Sequence, residues 1–360
     1  CAAAADITIT WSDVSTQGAD PANADYYNYT ITRTWRAEDP TGNFDECVQV
    51  ITVEDVTAPV IICPVSGQQD VTTDDGVCTY THEGNTWNPT AVDNCSAVIE
   101  YEYELTGATS GTGSDLDMVS FNIGITNVLW TATDPSGNYS QCSFTVKVID
   151  DEAPTFTAPS NDTICRNLYC SYNIDPSITG DVVDEWDNCA TGIEAYILND
   201  DLTYLISCDN VGYIIRTWRL EDGNGNHTDH QQIIYIEPVV TISAEGDTLC
   251  DGDQTSILVE SFNITSNGIR YTWVSVDNPE VEGETNSAGN GQMIGTEIVD
   301  TLNNTSDKPQ LVKYTITPWT INNNGDNNCT GIPIAVKVWI NPTPRVIPVV
   351  AADRICYGDA

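Results

Sequence analysis

Val128-Leu129-Trp130-Thr131-Ala132-Thr133-Asp134-Pro135-Ser136-Gly137-Asn138 is the stretch that decides the fold. Val128, Trp130 and Ala132 alternate with Leu129, Thr131 and Thr133, the two-residue period of a half-buried β-strand. Asp-Pro-Ser-Gly-Asn then reads as a hairpin turn, with proline fixing φ at the first corner and glycine supplying the left-handed residue. The arrangement occurs three times. Trp35, Trp130 and Trp218 are followed four residues on by Asp39, Asp134 and Asp222, and seven residues on by Gly42-Asn43, Gly137-Asn138 and Gly225-Asn226. Twelve residues after the tryptophan stand Cys47, Cys142 and, in the third copy, His230. A β-rich run follows each time (48–53, 143–148 and 231–236) and ends in an acidic junction with proline: Glu54-Asp55 to Pro59, Asp150-Asp151-Glu152-Ala153-Pro154, and Glu237-Pro238. Proline cannot donate to a sheet ladder, so it suits the first residue of an edge strand. The tryptophans are 95 and 88 residues apart, the size of one immunoglobulin-like sandwich. No convincing helix is found, and the fold class is all-β, with tandem immunoglobulin-like β-sandwich modules in an extended rod.

A different unit follows. Leu249-Cys250-Asp251-Gly252-Asp253-Gln254 recurs 106 residues later as Ile355-Cys356-Tyr357-Gly358-Asp359-Ala360. The expected modules are therefore 1–55 (the C-terminal part of one), 56–150, 151–237, 238–343 of the second type, and 344–360 as the start of a further one. In this register Cys356 is the unpaired member of an odd set, its partner lying past residue 360.

Composition narrows the function. The chain has 360 residues, 53 Asp+Glu against 12 Lys+Arg, and a formal net charge of −41. That excess excludes nucleic acid as a main partner, because phosphate binding needs cations, and it argues against an anionic membrane surface. At 40% hydrophobic, with 9 Trp and 16 Tyr, the chain can bury real cores. The longest apolar run, 346–352, is short and broken by Pro348, so no membrane insertion is expected. No signal peptide is visible, since Cys1 to Ala5 lead straight into Asp6. Thirteen cysteines with only two Met point to an oxidising, extracellular compartment. No Cys-x-x-Cys occurs, so a disulfide ladder is favoured over zinc.

The Asp93-Asn94-Cys95 and Asp187-Asn188-Cys189 segments, with the Thr131 to Asn138 run and its equivalents, resemble hyalin (HYR) repeats. The fourth unit, with its Cys-x-Gly-Asp start and Tyr314-Thr315-Ile316-Thr317-Pro318 strand, resembles a PKD-type β-sandwich. Both are strung together in very long surface proteins of Bacteroidota, including gliding-motility adhesins exported by the type IX system. The resemblance covers nearly the whole chain and implies the disulfides Cys1–Cys47, Cys63–Cys78, Cys95–Cys142, Cys165–Cys170, Cys189–Cys208 and Cys250–Cys329. Cys1 has a second reading as the acylated first residue of a lipoprotein, but its place in the repeat, matching Cys95 and Cys189, favours a disulfide.

Candidate chemistry is sparse. His82, His227 and His230 are scattered, and neither Gly-x-Ser-x-Gly nor His-Glu-x-x-His occurs, so no catalytic residue is expected. Adjacent carboxylates such as Asp74-Asp75 and Asp200-Asp201 point apart in a strand or loop and do not form a glycosidase pair. Calcium is the one serious cofactor candidate, because hard oxygen ligands suit it and the acidic junctions are similar to the linkers of cadherin-like rods. Its candidate ligands are Asp55, Asp93, Asp150, Asp151, Glu152 and Asp187. Asp222-Gly223-Asn224-Gly225-Asn226 looks superficially like the start of an EF-hand loop. Its equivalents in the other repeats lack the middle ligand, and position twelve is Ile233, so it reads as a turn. Arg33 and Arg216 share the inward face of their strands with tryptophan and are expected to stack on aromatics or pair with local acids. Asp-Thr-aliphatic triplets make Thr163, Thr248 and Thr301 candidates for bacterial O-glycosylation.

The function expected is that of a non-catalytic stalk or adhesive segment of a long secreted bacterial surface protein. Its partners would be other modules of the same chain and a surface, glycan or protein target. A subunit of an extracellular filament, assembled by strand donation, is the alternative. The accessory modules of a secreted carbohydrate-active enzyme stand third.

Overall fold

The computed structural model describes residues 6–205 and 207–346. These form two compact units. The first takes in the chain up to Pro154 together with 186–192 and 222–226; the second takes in 155–185, 193–221 and the chain from His227 onward.

In the first unit, Thr8–Ser15, Tyr29–Glu38 and Phe44–Val53 form an antiparallel three-stranded sheet in which Trp35 lies opposite both Trp11 and Cys47. A five-stranded sheet follows, in the order Gln68–Thr72, Tyr139–Ile149, Gly124–Thr133, Glu100–Gly107, Gly111–Gly113. Its first pair is parallel and the rest are antiparallel. Small pairs complete the module: Val60–Ile62 with Thr90–Val92, and Thr79–Thr81 with Ser120–Asn122. The expected alternation holds, since Val128, Trp130 and Ala132 are all fully buried. Trp130 donates its indole N–H to the Trp87 carbonyl at 3.1 Å and packs edge-on against Tyr103. Phe121, Phe144 and Leu116 fill the space around the two tryptophans. This is the hydrophobic face that holds the sandwich closed.

The second unit has a four-stranded sheet ordered Asp162–Cys165, His227–Glu237, Gly212–Glu221, Tyr196–Asp201. Trp218, Leu220 and Phe156 pack as one cluster, and Ile164, Ile214, Ile234 and Ile236 as another. A four-residue helical turn, Pro176–Thr179, is capped by the Asp175 carboxylate, which accepts from the Ser177 amide at 2.9 Å. The same unit contains a sheet ordered Thr248–Cys250, Ile334–Asn341, Gln310–Ile321, Ile269–Ser275, Gln292–Met293, with Asn327–Thr330 also paired to Gln310–Ile321. Its core is built on Tyr271, Trp273, Tyr314, Ile316, Val338 and Ile340. The polar ends in this core are satisfied: the Tyr314 hydroxyl donates to the buried Asp300 carboxylate at 2.6 Å, the Tyr271 hydroxyl to the Thr296 carbonyl at 3.0 Å and the Trp273 indole N–H to the Thr285 carbonyl at 3.0 Å.

Both inward arginines find acids and aromatics together, as expected. Arg33 makes two 2.8 Å bonds to Asp13 and sits near the rings of Trp11 and Trp35. Arg216 is 1% exposed; it pairs with Asp200 at 2.8 and 3.1 Å and donates to Thr179 Oγ1 and the Ile174 carbonyl. It therefore joins the Tyr196–Asp201 strand to the helical turn from inside the module.

The disulfide framework differs from the one implied by resemblance. The bonds are Cys63–Cys142, Cys78–Cys189, Cys165–Cys329 and Cys170–Cys208. Cys95–Cys142 does not form because Cys142 lies beside the end of Val60–Ile62, whereas Cys95 sits past Thr90–Val92 in the loop held by Asp93. Cys63 is thereby taken, and Cys78, in the turn before Thr79–Thr81, meets Cys189 of segment 186–192 within the first unit. That excludes Cys189–Cys208. Asn167 accepts from the Tyr169 and Ser171 amides, folding the 167–171 loop so that Cys170 reaches Cys208 and not Cys165. Cys250–Cys329 fails on distance. Thr248–Cys250 pairs with Trp339–Asn341 beside Gln310, while Asn327–Thr330 pairs beside Trp319 to Ile321. The two cysteines thus lie near opposite ends of one strand, about ten residues or roughly 33 Å apart. Cys47, Cys95 and Cys250 are exposed and bonded to no described cysteine. Cys1 and Cys356 lie outside the described residues, so the Cys1–Cys47 pairing lies there too.

Two outcomes follow from the second unit. Arg216→Ala should destabilise it by about 3 kcal/mol, read from a urea transition, since it leaves the Asp200 carboxylate without its ion-pair partner and removes the bonds to Thr179 Oγ1 and the Ile174 carbonyl. The Asp200 side chain is 24% exposed, which keeps the cost at the low end of the usual range. Glu237 is fully buried and accepts from the Ser266 amide at 3.0 Å. Burial pushes its carboxyl pKa up from the ordinary 4.5, and the Ser266 bonds only partly oppose this. The folded state therefore holds this proton more tightly than the unfolded chain. The associated stability is fully present below pH 4.5 and is lost as pH rises through the folded value. Glu237→Gln should flatten that pH dependence and raise the neutral-pH urea midpoint; an unchanged slope would contradict the assignment.

Candidate functional site: a buried carboxylate cluster

The site begins with the hairpin turns. In each one the aspartate four residues after the tryptophan closes the loop: its amide donates to the Asn43, Asn138 or Asn226 carbonyl, and its carboxylate accepts from the same asparagine's amide at 2.9–3.0 Å. The glycine before that asparagine is left-handed in every copy (φ 88°, 89° and 97°), as the turn requires. Asp39 shows what this does electrostatically. Hydrogen bonds from the side chains of Thr41 and then Asn43 hold its carboxyl down at about 2, so it stays ionised.

The asparagine side chain then reaches the acidic junction. Asn138 Nδ2 bridges Asp134 Oδ2 and the Asp55 carbonyl, at 2.9 and 3.0 Å. Asn226 Nδ2 bridges Asp222 Oδ2 and the Asp150 carbonyl in the same way, at 2.7 and 3.0 Å. Within the first unit this brings the turn onto the residue that ends the preceding long strand. The Asp-Asn-Cys segment supplies the third element. Asp187 Oδ1 accepts from the Cys189 and Ala190 amides, and Asp93 Oδ2 accepts from the Cys95 and Ser96 amides.

The result is a cluster of Asp150, Asp187 and Asp222, one carboxylate oxygen from each lying within 4.8 Å of the others. All three residues are buried, at 2%, 7% and 6% exposure. Burial raises the Asp150 pKa, and the charges of Asp187 and Asp222 add to this while bonds from Glu152 and Asn224 oppose it. Asp222 is also pushed up by burial, but bonds from Asn226, Asn224 and Gly225 hold it below the ordinary carboxylate range. In the preceding repeat Asp55, Asp93 and the Cys95 thiol come together in the corresponding way. There the thiol pKa is raised, first by burial and then by Asp55, Asp93 and Asp134.

Four of the six sequence-derived acids thus belong to clusters: Asp55, Asp93, Asp150 and Asp187. Asp151 is exposed, and Glu152 instead accepts from the Gly76 amide at 2.7 Å. Asp222 was read from sequence only as a turn residue, although its threefold recurrence at the same offset from tryptophan was the signal that could have found it. Thr248 and Thr301 are exposed, and Thr163 is half-buried. His82 is buried and stacked on Trp87 at 3.9 Å, with burial lowering its pKa, so it serves the core. A hollow of about 530 Å³ is lined by Glu100, Tyr101, Glu102, Gly113, Ser114 and Thr133, without histidine, cysteine or cation among them.

Comparison with known proteins agrees with both module types. Residues 54–148 match the HYR domain and residues 247–344 the PKD-like domain. The chain is 33% identical over 146 residues to Hyalin of Strongylocentrotus purpuratus, covering 39% of this chain and 11% of that protein. It is 32% identical over 143 residues to Hyalin of Lytechinus variegatus, covering 38% and 24%. It is also 32% identical over 121 residues to the rat (Rattus norvegicus) sushi, von Willebrand factor type A, EGF and pentraxin domain-containing protein 1, covering 32% and 3%. The match therefore spans less than a quarter of each of these relatives. Among solved structures, the protocadherin gammaB4 extracellular domain aligns with a TM-score of 0.39 at 13% identity, over 94% of this chain and 62% of that one. The protocadherin gammaB7 EC3-6 cis-dimer structure aligns at 0.34 and 16%, over 94% of both chains.

The cysteine assignment is checked by peptide mapping after thiol alkylation of the native chain. Cys95 and Cys250 should label without reductant, Cys95 slowly because its thiol holds its proton more tightly. The eight bonded cysteines should label only after reduction.

Proposed function

We propose that the chain is a load-bearing, non-catalytic segment of a longer extracellular adhesive protein. The observation that carries this reading is the covalent topology. Cys63–Cys142 closes a loop of 79 residues and Cys165–Cys329 one of 164. A pull along the chain passes through these bonds and bypasses the enclosed residues, including the cores built on Trp130 and Trp218. At 3.3–3.6 Å per extended residue, the two bonds withhold roughly 270 Å and 560 Å of contour length. Bonds that close such long loops stabilise any fold by constraining the unfolded chain; in a stalk under tension they also carry the load directly.

The HYR and PKD-like matches support an adhesive setting outside the cell, where disulfides persist. The net charge of −41 suits a solvated surface that repels its own copies. In finer terms, the chain belongs to a surface protein of a bacterium of the Bacteroidota kind, exported by the type IX route and working in adhesion or gliding. A surface, glycan or protein is its target.

Single-molecule pulling tests the reading. The oxidised chain should release only the length outside the two loops, about 120 residues or roughly 400 Å, and reductant should add the withheld contour as the modules open. Equal extension with and without reductant would remove the mechanical argument. Antibody labelling of intact cells of the source organism should stain the exterior; staining only after lysis would contradict the extracellular assignment.

A further inference from the structure

We propose that Asp150, Asp187 and Asp222 form a calcium site that ties segments 186–192 and 222–226 to the end of the Tyr139–Ile149 strand. The three carboxylates are within 4.8 Å of one another and more than nine-tenths buried. Their outward hydrogen bonds are already made. Asp222 Oδ1 accepts from the Asn224, Gly225 and Asn226 amides at 2.7–2.9 Å, and its Oδ2 from Asn226 Nδ2. Asp150 Oδ1 accepts from the Glu152 amide and its Oδ2 from Asn224 Nδ2 at 3.1 Å. Asp187 gives Oδ1 to two amides, and its Oδ2 is buried with no partner at all.

That oxygen is the independent sign of a ligand. A buried carboxylate oxygen without a donor is costly, and two further carboxylates beside it make the cost larger. None of the ion pairs among the described residues involves Asp150, Asp187 or Asp222; the paired acids are Asp13, Glu38, Glu46, Asp200, Asp229 and Asp307. A divalent cation supplies the missing charge and the missing partner at once.

The donor set chooses the ion. Three carboxylates offer only hard oxygens, which suit calcium, whereas structural zinc takes sulfur and nitrogen. Rotating the Asn224 amide would add a fourth oxygen, and calcium tolerates the irregular geometry that turns and loop ends provide. The preceding repeat carries the same leftover: Asp93 Oδ1 and Asp55 Oδ2 are both buried without partners. There Cys95 stands as the third group, a softer donor, so the Asp150 cluster is the better calcium site.

The test uses the whole chain, stripped with EGTA and titrated with calcium chloride by calorimetry. Asp187→Asn keeps an oxygen for the Cys189 and Ala190 amides but removes the charge. It should lose one calcium equivalent, or weaken it at least about tenfold. Its melting temperature without calcium should be no lower than that of the parent, because a repulsion has been relieved, while its calcium-induced rise should shrink. Asp150→Asn should behave likewise, which separates ligand loss from misfolding at one position. The proposal is overturned if millimolar calcium gives neither heat nor a melting shift. It is equally overturned if Asp187→Asn keeps the full calcium stoichiometry and affinity, or lowers the melting temperature by the same amount with and without calcium.

Discussion

Register in the long tryptophan hairpins is the constraint on which the rest depends. Asp39, Asp134 and Asp222 each close their turn through their own amide and carboxylate, so residue pairing along the strands is settled at the turn. A slip of one residue would carry Trp130 or Trp218 from the buried face to the solvent face. It would also move Cys142, which pairs across from Trp130, away from Cys63. The third copy shows how much the hairpin tolerates. His230 replaces the cysteine opposite Trp218 and packs edge-on against Phe156, and the strand pairing is unchanged.

The same aspartates link fold to site. Because the turn fixes Asn138 and Asn226, their side-chain amides meet the Asp55 and Asp150 carbonyls, and the acidic ends of the preceding strands are drawn in beside the turns. Carboxylates thus become buried as a consequence of hairpin geometry. Their desolvation is only partly offset by backbone amides, which accounts for the opposite directions in which Asp150 and Asp222 are shifted. Asp222 is bonded by its own turn and stays ionised, while Asp150 has fewer donors and more neighbouring charge.

The acid excess reads differently in this light. On the surface it is solvation and mutual repulsion, and it identifies no ligand. At the Asp150 cluster it becomes a local deficit of positive charge that no ion pair among the described residues meets. Arginine is spent elsewhere: Arg216 in a core beside Trp218, and Arg33 on Asp13 beside Trp11 and Trp35.

The amino-acid order alone determined what depends on neighbours a few residues apart. The alternation around Trp130, the Asp-to-Asn turns, the all-β class and the places of Arg33 and Arg216 were all legible, because a period of two and a left-handed glycine are local properties. The disulfide partners were not. Cys63 and Cys142 are 79 residues apart and Cys165 and Cys329 are 164 apart, and no local rule chooses among thiols at such distances. The family resemblance implied Cys250–Cys329, yet the strand between them holds the two cysteines at opposite ends. Asp222 was hidden for a related reason: its turn role is visible in five residues, while its second role needs Asp150 and Asp187 from 72 and 35 residues upstream. Only the packed chain brings those three carboxylates within reach of one ion, since long-range strand pairing and not local preference sets which loop ends meet.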